Sequence, residues 1–236
     1  MHKNKAIWVL WWMGPWASAN LYQKMINYAQ YKYDAVQDFD YPPMIIYSLP
    51  MEWFDEKWIA DEKLVLNYLI DWVKRLENAG CDMIIIACNT VHYFYQQMQD
   101  AVKIPIYNII QETKKQVQNF WYQKVWLFAS QSTNELNLYQ NIFEIDWINV
   151  ISPNSDQQMI LNKVIENVMG WHQWNSDIIV LKDIARDYIK QWAEAIVLWC
   201  TEIPLAINQT HTDIKLFDTI EISVQSAVDY SLCSNK

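Results

Sequence analysis

Glycine is nearly absent. The chain of 236 residues has 3 glycines, where an average composition of about 7% leads one to expect roughly 16 or 17. Clustered Lys and Arg are missing too. The net charge is −9 and no basic run occurs, which argues against a nucleic-acid partner or an anionic membrane surface, since both reward concentrated positive charge. Beyond the N-terminal region nothing approaches the ~20 consecutive apolar residues that cross a bilayer. The four cysteines, Cys81, Cys88, Cys200 and Cys233, show neither framework spacing nor a Cys-x-x-Cys pair. They read as reduced thiols of a cytoplasmic protein. The opening MHKNK, followed by AIWVLWWMGPW and ASA, has the layout of a secretory leader cleaved near Asn20. The same residues also read as a strand, a tight loop and a helix start, and this second reading fits the rest of the chain.

Tryptophan is in excess. Its count is 14, close to the number of missing glycines. Its positions are as odd as its abundance. The amphipathic stretch DEKLVLNYLIDWVKRLENAG, with Leu64, Leu66, Leu69, Ile70, Val73 and Leu76 on its apolar side, closes on Gly80, as helices ending in a left-handed residue do. By the same pattern QETKKQVQNFWYQKVWLF ends a helix at Trp121, and IARDYIKQWAEAIVL ends one at Trp192. Trp147 follows Asp146 where a turn prefers Asp-Gly. Trp171 and Trp174 fall in a polar loop. A bulky residue with a Cβ is a poor choice wherever φ must be positive. Ordinary core or interface packing accounts for an abundance of tryptophan but not for its recurrence at helix ends and turns.

Short apolar runs alternate with helical patterns, the layout of an α/β protein with parallel sheets. Strands are expected at 6–11, 44–48, 83–87, 104–109, 124–129, 148–151, 195–199 and 214–217. Helices are expected near 16–31, 61–79, 91–101, 111–120, 133–143, 155–168, 176–191 and 219–232. The chain also repeats itself. IIIACNT (84–90) resembles IVLWCTE (196–202), IPIYNIIQET (104–113) resembles IKLFDTIEIS (214–223), and AIWVLWWMG (6–14) parallels KVWLFASQS (124–132). Three echoes in one order indicate a duplicated unit. The expectation is two pseudo-symmetric lobes, each a parallel sheet flanked by helices, with a site in the cleft between them. Residues 1–112 and 208–236 form the lobe with Cys88, and 113–207 the lobe with Cys200.

Both echoed cysteines end a buried apolar strand. In open parallel sheets ligands bind beyond the carboxyl ends of the strands, at the N-termini of the following helices, and positive potential there favours a thiolate. Two thiols so placed allow a disulfide, which a reducing compartment disfavours, or a zinc site recruiting His92 or His211, for which Cys-x3-His without a second paired Cys is poor spacing. They also allow a pair of acid/base groups on opposite faces of a substrate carbon, as racemisation requires. Buried cysteines acting only as small hydrophobes are a fourth reading.

ACNTVH (87–92) and CTEIPLAI (200–207) resemble the paired cysteine motifs of the aspartate/glutamate racemase family. The likeness runs nearly end to end, through DFDYPPMIIYS (38–48), IPIYNIIQET, YQNIF (139–143), and PLAIN followed by LFDTIEI. It implies a cofactor-independent amino-acid racemase, homodimeric, acting on a small amino acid of the aspartate/glutamate type. On the matching positions it implies that Cys88 and Cys200 are the catalytic bases. Asn89, Thr90 and Thr201 would hold the α-amino and α-carboxylate groups, and Ser130, Ser132 and Thr133 would lie in a carboxylate-binding loop. Met13 and Gly14 would line the pocket, Glu202 would tune the second thiol or cap a helix start, and His92 would be structural. The family's opening motif resembles Gly-Leu/Ile-x-Gly-Gly-Met-Gly-Pro, against WVLWWMGP here, and its second cysteine motif is Gly-Cys-Thr-Glu, against WCTE. Trp8, Trp11, Trp12 and Trp199 therefore stand at expected glycines, and Trp11 and Trp12 would crowd the pocket loop. Residues 49–63 contain Lys57 and Lys63 but not the arginine by which aspartate-specific members clamp the side-chain carboxylate. Related isomerases or decarboxylases of small dicarboxylates or hydantoins are the enzymatic alternative, and a silent small-molecule binding protein the other.

Overall fold

A computed structural model describes residues 4–11, 15–48, 59–170, 172 and 175–233. The chain divides into two compact units, the first made by the N-terminal residues, Ile59–Ile109 and the segment from Ile220 onward, the second by Ile110–Thr219. In the first unit the order is β1 (Ile7–Trp11), α1 (Pro15–Tyr33), β2 (Met44–Ser48), α2 (Glu62–Asn78), β3 (Met83–Ile86), α3 (Tyr95–Asp100) and β4 (Ile106–Tyr107). Then α4 (Ile109–Asn119) leads into β5 (Lys124–Phe128), α5 (Gln131–Glu135), α6 (Leu138–Phe143), β6 (Asn149–Ile151), α7 (Ser155–Met169), α8 (Asn175–Lys190), β7 (Ala195–Leu198), α9 (Ile203–Ala206) and β8 (Lys215–Asp218). The final helix is α10 (Thr219–Leu232).

The two sheets have the same plan. One runs β2-β1-β3-β4 and the other β6-β5-β7-β8, every pairing parallel. The three sequence echoes are thus β3 with β7, β4 with β8, and β1 with β5. Every residue of β3 and of β7 is buried, as parallel strands covered by helices on both faces demand. Side chains alternate across the sheet. Ile84 and Ile86 join Val65, Leu69, Val73 and Leu76 of α2 in one core. Met83 and Ile85 face the other way, toward Leu21 and Met25 of α1 and Val224, Ala227 and Val228 of α10. The start of α2 is set by Asp61, whose carboxylate accepts from the Leu64 amide, and the start of α7 by a capping box between Asn154 and Gln157.

Three expectations change. The helix expected at 133–143 breaks into α5 and α6 at Asn137, which sits at φ 48°, a conformation asparagine tolerates. The helix expected at 91–101 begins as a 3-10 turn over Thr90–Phe94. The return to the first unit falls at Ile220 rather than at 208, because β8 pairs with β7 and so belongs to the second sheet.

Candidate active site

In each unit one cysteine lies two residues beyond the third strand of the sheet. In the first, β3 ends at Ile86, and Ala87, Cys88, Asn89 and Thr90 follow, all buried. What positions Cys88 is the ring of His92, itself buried. Its Nδ1 lies 3.0 Å from the Cys88 carbonyl oxygen, and the Ile109 amide donates to Nε2 at 3.4 Å. One neutral tautomer satisfies both contacts, with Nδ1 donating and Nε2 accepting. Tyr107, at the end of β4, also brings its carbonyl within 3.3 Å of Nε2. His92 therefore ties the cysteine loop to the segment leaving β4, the structural role expected of it. Burial holds its pKa below the ordinary 6.5, against backbone contacts that favour the charged form.

That shift has a sign. The folded chain keeps His92 neutral while the unfolded chain takes up a proton below about pH 6.5, so stability is fully present above that pH and falls as the medium is acidified through it. We expect His92→Gln to flatten the acid side of a stability–pH curve measured by denaturant titration. His92→Ala should cost about 2–3 kcal/mol of stability at pH 7 through the cavity and the lost polar contacts.

The second unit builds its counterpart from β7 and β5. Leu198 pairs with Phe128, and the Trp199 amide donates to the Phe128 carbonyl at 2.8 Å, so Cys200 and Ser130 leave the sheet on adjacent strands. Cys200 is partly exposed, and its thiol donates to Oε2 of Glu202 at 2.9 Å. The Thr201 hydroxyl donates to the same oxygen at 2.7 Å. Both Thr201 and Glu202 are buried. On the β5 side the Ser130 hydroxyl donates to Thr133 Oγ1 at 2.9 Å and lies 3.3 Å from the Ser132 hydroxyl, all three residues being buried. Thr201 and Glu202 thus adjoin Cys200, while Ser130, Ser132 and Thr133 bond to one another past the end of the neighbouring strand β5 of the same unit, and Asn89 and Thr90 adjoin Cys88. Met13 and Gly14 lie outside the described residues, as do residues 49–58 with Lys57. The helix macrodipoles expected behind the cysteines shrink to one-turn segments, Thr90–Phe94 and α9.

One contributor escaped the sequence reading. The Thr219 hydroxyl, fully buried, donates to the Leu198 carbonyl at 3.0 Å and so pins the end of β7 from the start of α10. Its signal was the repeated LFDTIEI segment, which carried the echo without a role for this residue. The other two thiols sit apart. Cys81, before β3, is buried with its thiol donating to the Leu76 carbonyl, and burial pushes its pKa up to about 11. Cys233 is exposed, 2.8 Å from the Tyr33 hydroxyl. Among the described residues no cluster of His, Cys, Asp and Glu has the makings of a metal site, and no helix is long and apolar enough to cross a membrane.

The matched placement of the two cysteines meets its decisive comparison in a profile of the Asp/Glu/Hydantoin racemase family, which matches residues 10–227. The chain belongs to that family. It is an amino-acid racemase of the Asp/Glu racemase type and hence an isomerase. It is 28% identical over 222 residues to the broad specificity amino-acid racemase RacX of Bacillus subtilis (strain 168), covering 94% of this chain and 96% of the relative. The crystal structure of an aspartate racemase homologue from Pyrococcus horikoshii OT3 superposes with a TM-score of 0.80 at 26% identity, covering 96% of this chain and 99% of that one. The aspartate racemase of Picrophilus torridus, at 24% identity, shares the racemase fold with a TM-score of 0.79 over 96% of this chain and 94% of its own.

Proposed function

We propose that this racemase interconverts amino-acid enantiomers with Cys88 and Cys200 as its two bases, one on each face of the α-carbon. The observation that carries the reading is the equivalence of the two thiols, each two residues past the third strand of one of two like sheets. In one direction a thiolate takes the α-proton and becomes a thiol. The planar carbanion left behind takes a proton from the opposite thiol, which becomes a thiolate. Each turnover leaves the pair with its protonation reversed, and the backward reaction restores it. Asn89, Thr90 and Thr201 hold the α-amino and α-carboxylate groups. The Ser130, Ser132 and Thr133 hydroxyls give donors to the carboxylate, where charge builds as the proton leaves. No cofactor is called for, because the carboxylate and these donors share the carbanion's charge.

The substrate is a small amino acid of the aspartate/glutamate type taken with broad tolerance. A lysine offers a point charge where an arginine offers a bidentate fork, and residues 49–63 hold Lys57 and Lys63 without an arginine. The name of the Bacillus relative points the same way. A cytoplasmic homodimer is part of this reading, on the strength of the family likeness. The test is to incubate single L-amino acids with the enzyme in deuterium oxide. We expect deuterium at the α-carbon together with loss of optical rotation for several polar amino acids. Decarboxylation or hydantoin turnover without such exchange on any amino acid would overturn the proposal.

A further inference from the structure

Three tryptophans occupy a backbone conformation that bulky residues avoid. Trp121, Trp147 and Trp192 have φ of 61°, 60° and 64°. The other described residues with positive φ are Gly80, Asp34 and Asn137, the types that bear it at least cost. The surrounding hydrogen bonds show why the conformation is fixed. After α4 the Trp121 amide donates to Gln118 O and the Tyr122 amide to Val117 O. After α8 the Trp192 amide donates to Ile189 O and the Ala193 amide to Tyr188 O. Before β6 the Trp147 amide donates to Glu144 O and the Ile148 amide to Phe143 O. Each pair is the crossed bonding of a Schellman motif, whose left-handed position is usually glycine. Gly80 fills that position after α2, its amide donating to Glu77 O. The indoles gain nothing in return, being 89%, 89% and 84% exposed.

Trp199 misfits in the opposite way. It is 1% exposed, and its ring centroid lies 2.9 Å from that of Tyr139. Packed aromatic pairs keep their centroids at least about 4.5 Å apart. Tyr139 is well seated, fully buried and 5.0 Å from Phe143. The indole is the ring without room. Trp126 shows that the fold accepts tryptophan elsewhere, packing on Tyr188 at 5.4 Å.

We infer that the protein made in its own cell carries glycine at positions 121, 147, 192 and 199, the codon at these sites being decoded there as glycine. Glycine at these sites also shifts the composition of the chain in the direction its glycine deficit and tryptophan excess call for. This inference goes beyond the two-base reading and stands without it.

Two measurements test it. Mass spectrometry of peptides from the source cell should give glycine masses at the four positions, and tryptophan masses would overturn the inference. In protein expressed with tryptophan, Trp121→Gly, Trp147→Gly and Trp192→Gly should each raise the melting midpoint by about 2 °C, while the reverse change Gly80→Trp lowers it. Trp199→Gly should also raise it. Emptying an ordinary buried aromatic site lowers the midpoint by many degrees, so a fall at 199, or no rise at the three surface sites, would count against glycine.

Discussion

Cys88→Ala and Cys200→Ala are each expected to reduce racemisation by about 10²- to 10⁴-fold, the range in which a positioned acid or base contributes. The loss alone is weak testimony, since any damaged enzyme is slow. The informative result is what survives. A variant keeping one thiol still has a base on one face of the α-carbon. It should exchange the α-proton of the enantiomer presenting that proton to the remaining sulfur, returning it with unchanged configuration. The other enantiomer should not exchange. The two variants should show opposite preferences, read by proton NMR of each pure enantiomer in deuterium oxide. A general disturbance of the fold would slow both enantiomers alike. Full racemisation in either variant would sink the two-base assignment.

Glu202→Gln comes second in size, with kcat/KM expected to fall about 10- to 100-fold, the worth of a hydrogen bond to a charged group. The carboxylate accepts from both the Cys200 thiol and the Thr201 hydroxyl through one oxygen. In the proposed mechanism its charge lies beside the sulfur that must form a thiolate, and so opposes that ionisation. An amide keeps the shape and an acceptor oxygen but drops the charge. The limb of the pH–rate profile governed by Cys200 should move to lower pH, while the limb governed by Cys88 stays in place. Enantiomers have equal free energy, so kcat/KM must fall equally in the two directions, whereas kcat and KM separately need not. An unchanged pH profile with a lowered rate would make Glu202 a packing residue, and Glu202→Asp should recover part of the profile.

Much of this was readable in advance because periodicity and repetition report directly on a layered parallel fold. β3 and β7 are uninterrupted apolar runs with no polar residue to place on an outer face, and such strands have helices on both sides. The echo of IIIACNT in IVLWCTE assigns both cysteines to the same station of two sheets. Helix ends were legible through the residues that terminate them, Gly80 and the tryptophans occupying the same motif. What escaped depended on long-range pairing. β8 reads as a strand in either unit, and only its ladder with β7 assigns it. Asn137 sits inside a stretch of good helical periodicity, and its left-handed turn reveals itself only in the backbone. The Thr219 hydroxyl reaches a carbonyl far back in the sequence, which local pattern does not show. Residues 12–14 and 49–58 lie outside the described residues.

The order in which the chain visits its two units bears on how it is made. Among the described residues the second unit is the single segment Ile110–Thr219, whereas the first is closed by α10 from the far end of the chain. Until α10 emerges from the ribosome, Ile7, Val9, Leu21, Met25 and Ile85 have no cover from Ile220, Val224, Ala227 and Val228. A nascent chain therefore holds an open apolar face through the whole synthesis of the second unit, a condition that invites chaperone capture or aggregation. The half that starts first finishes last.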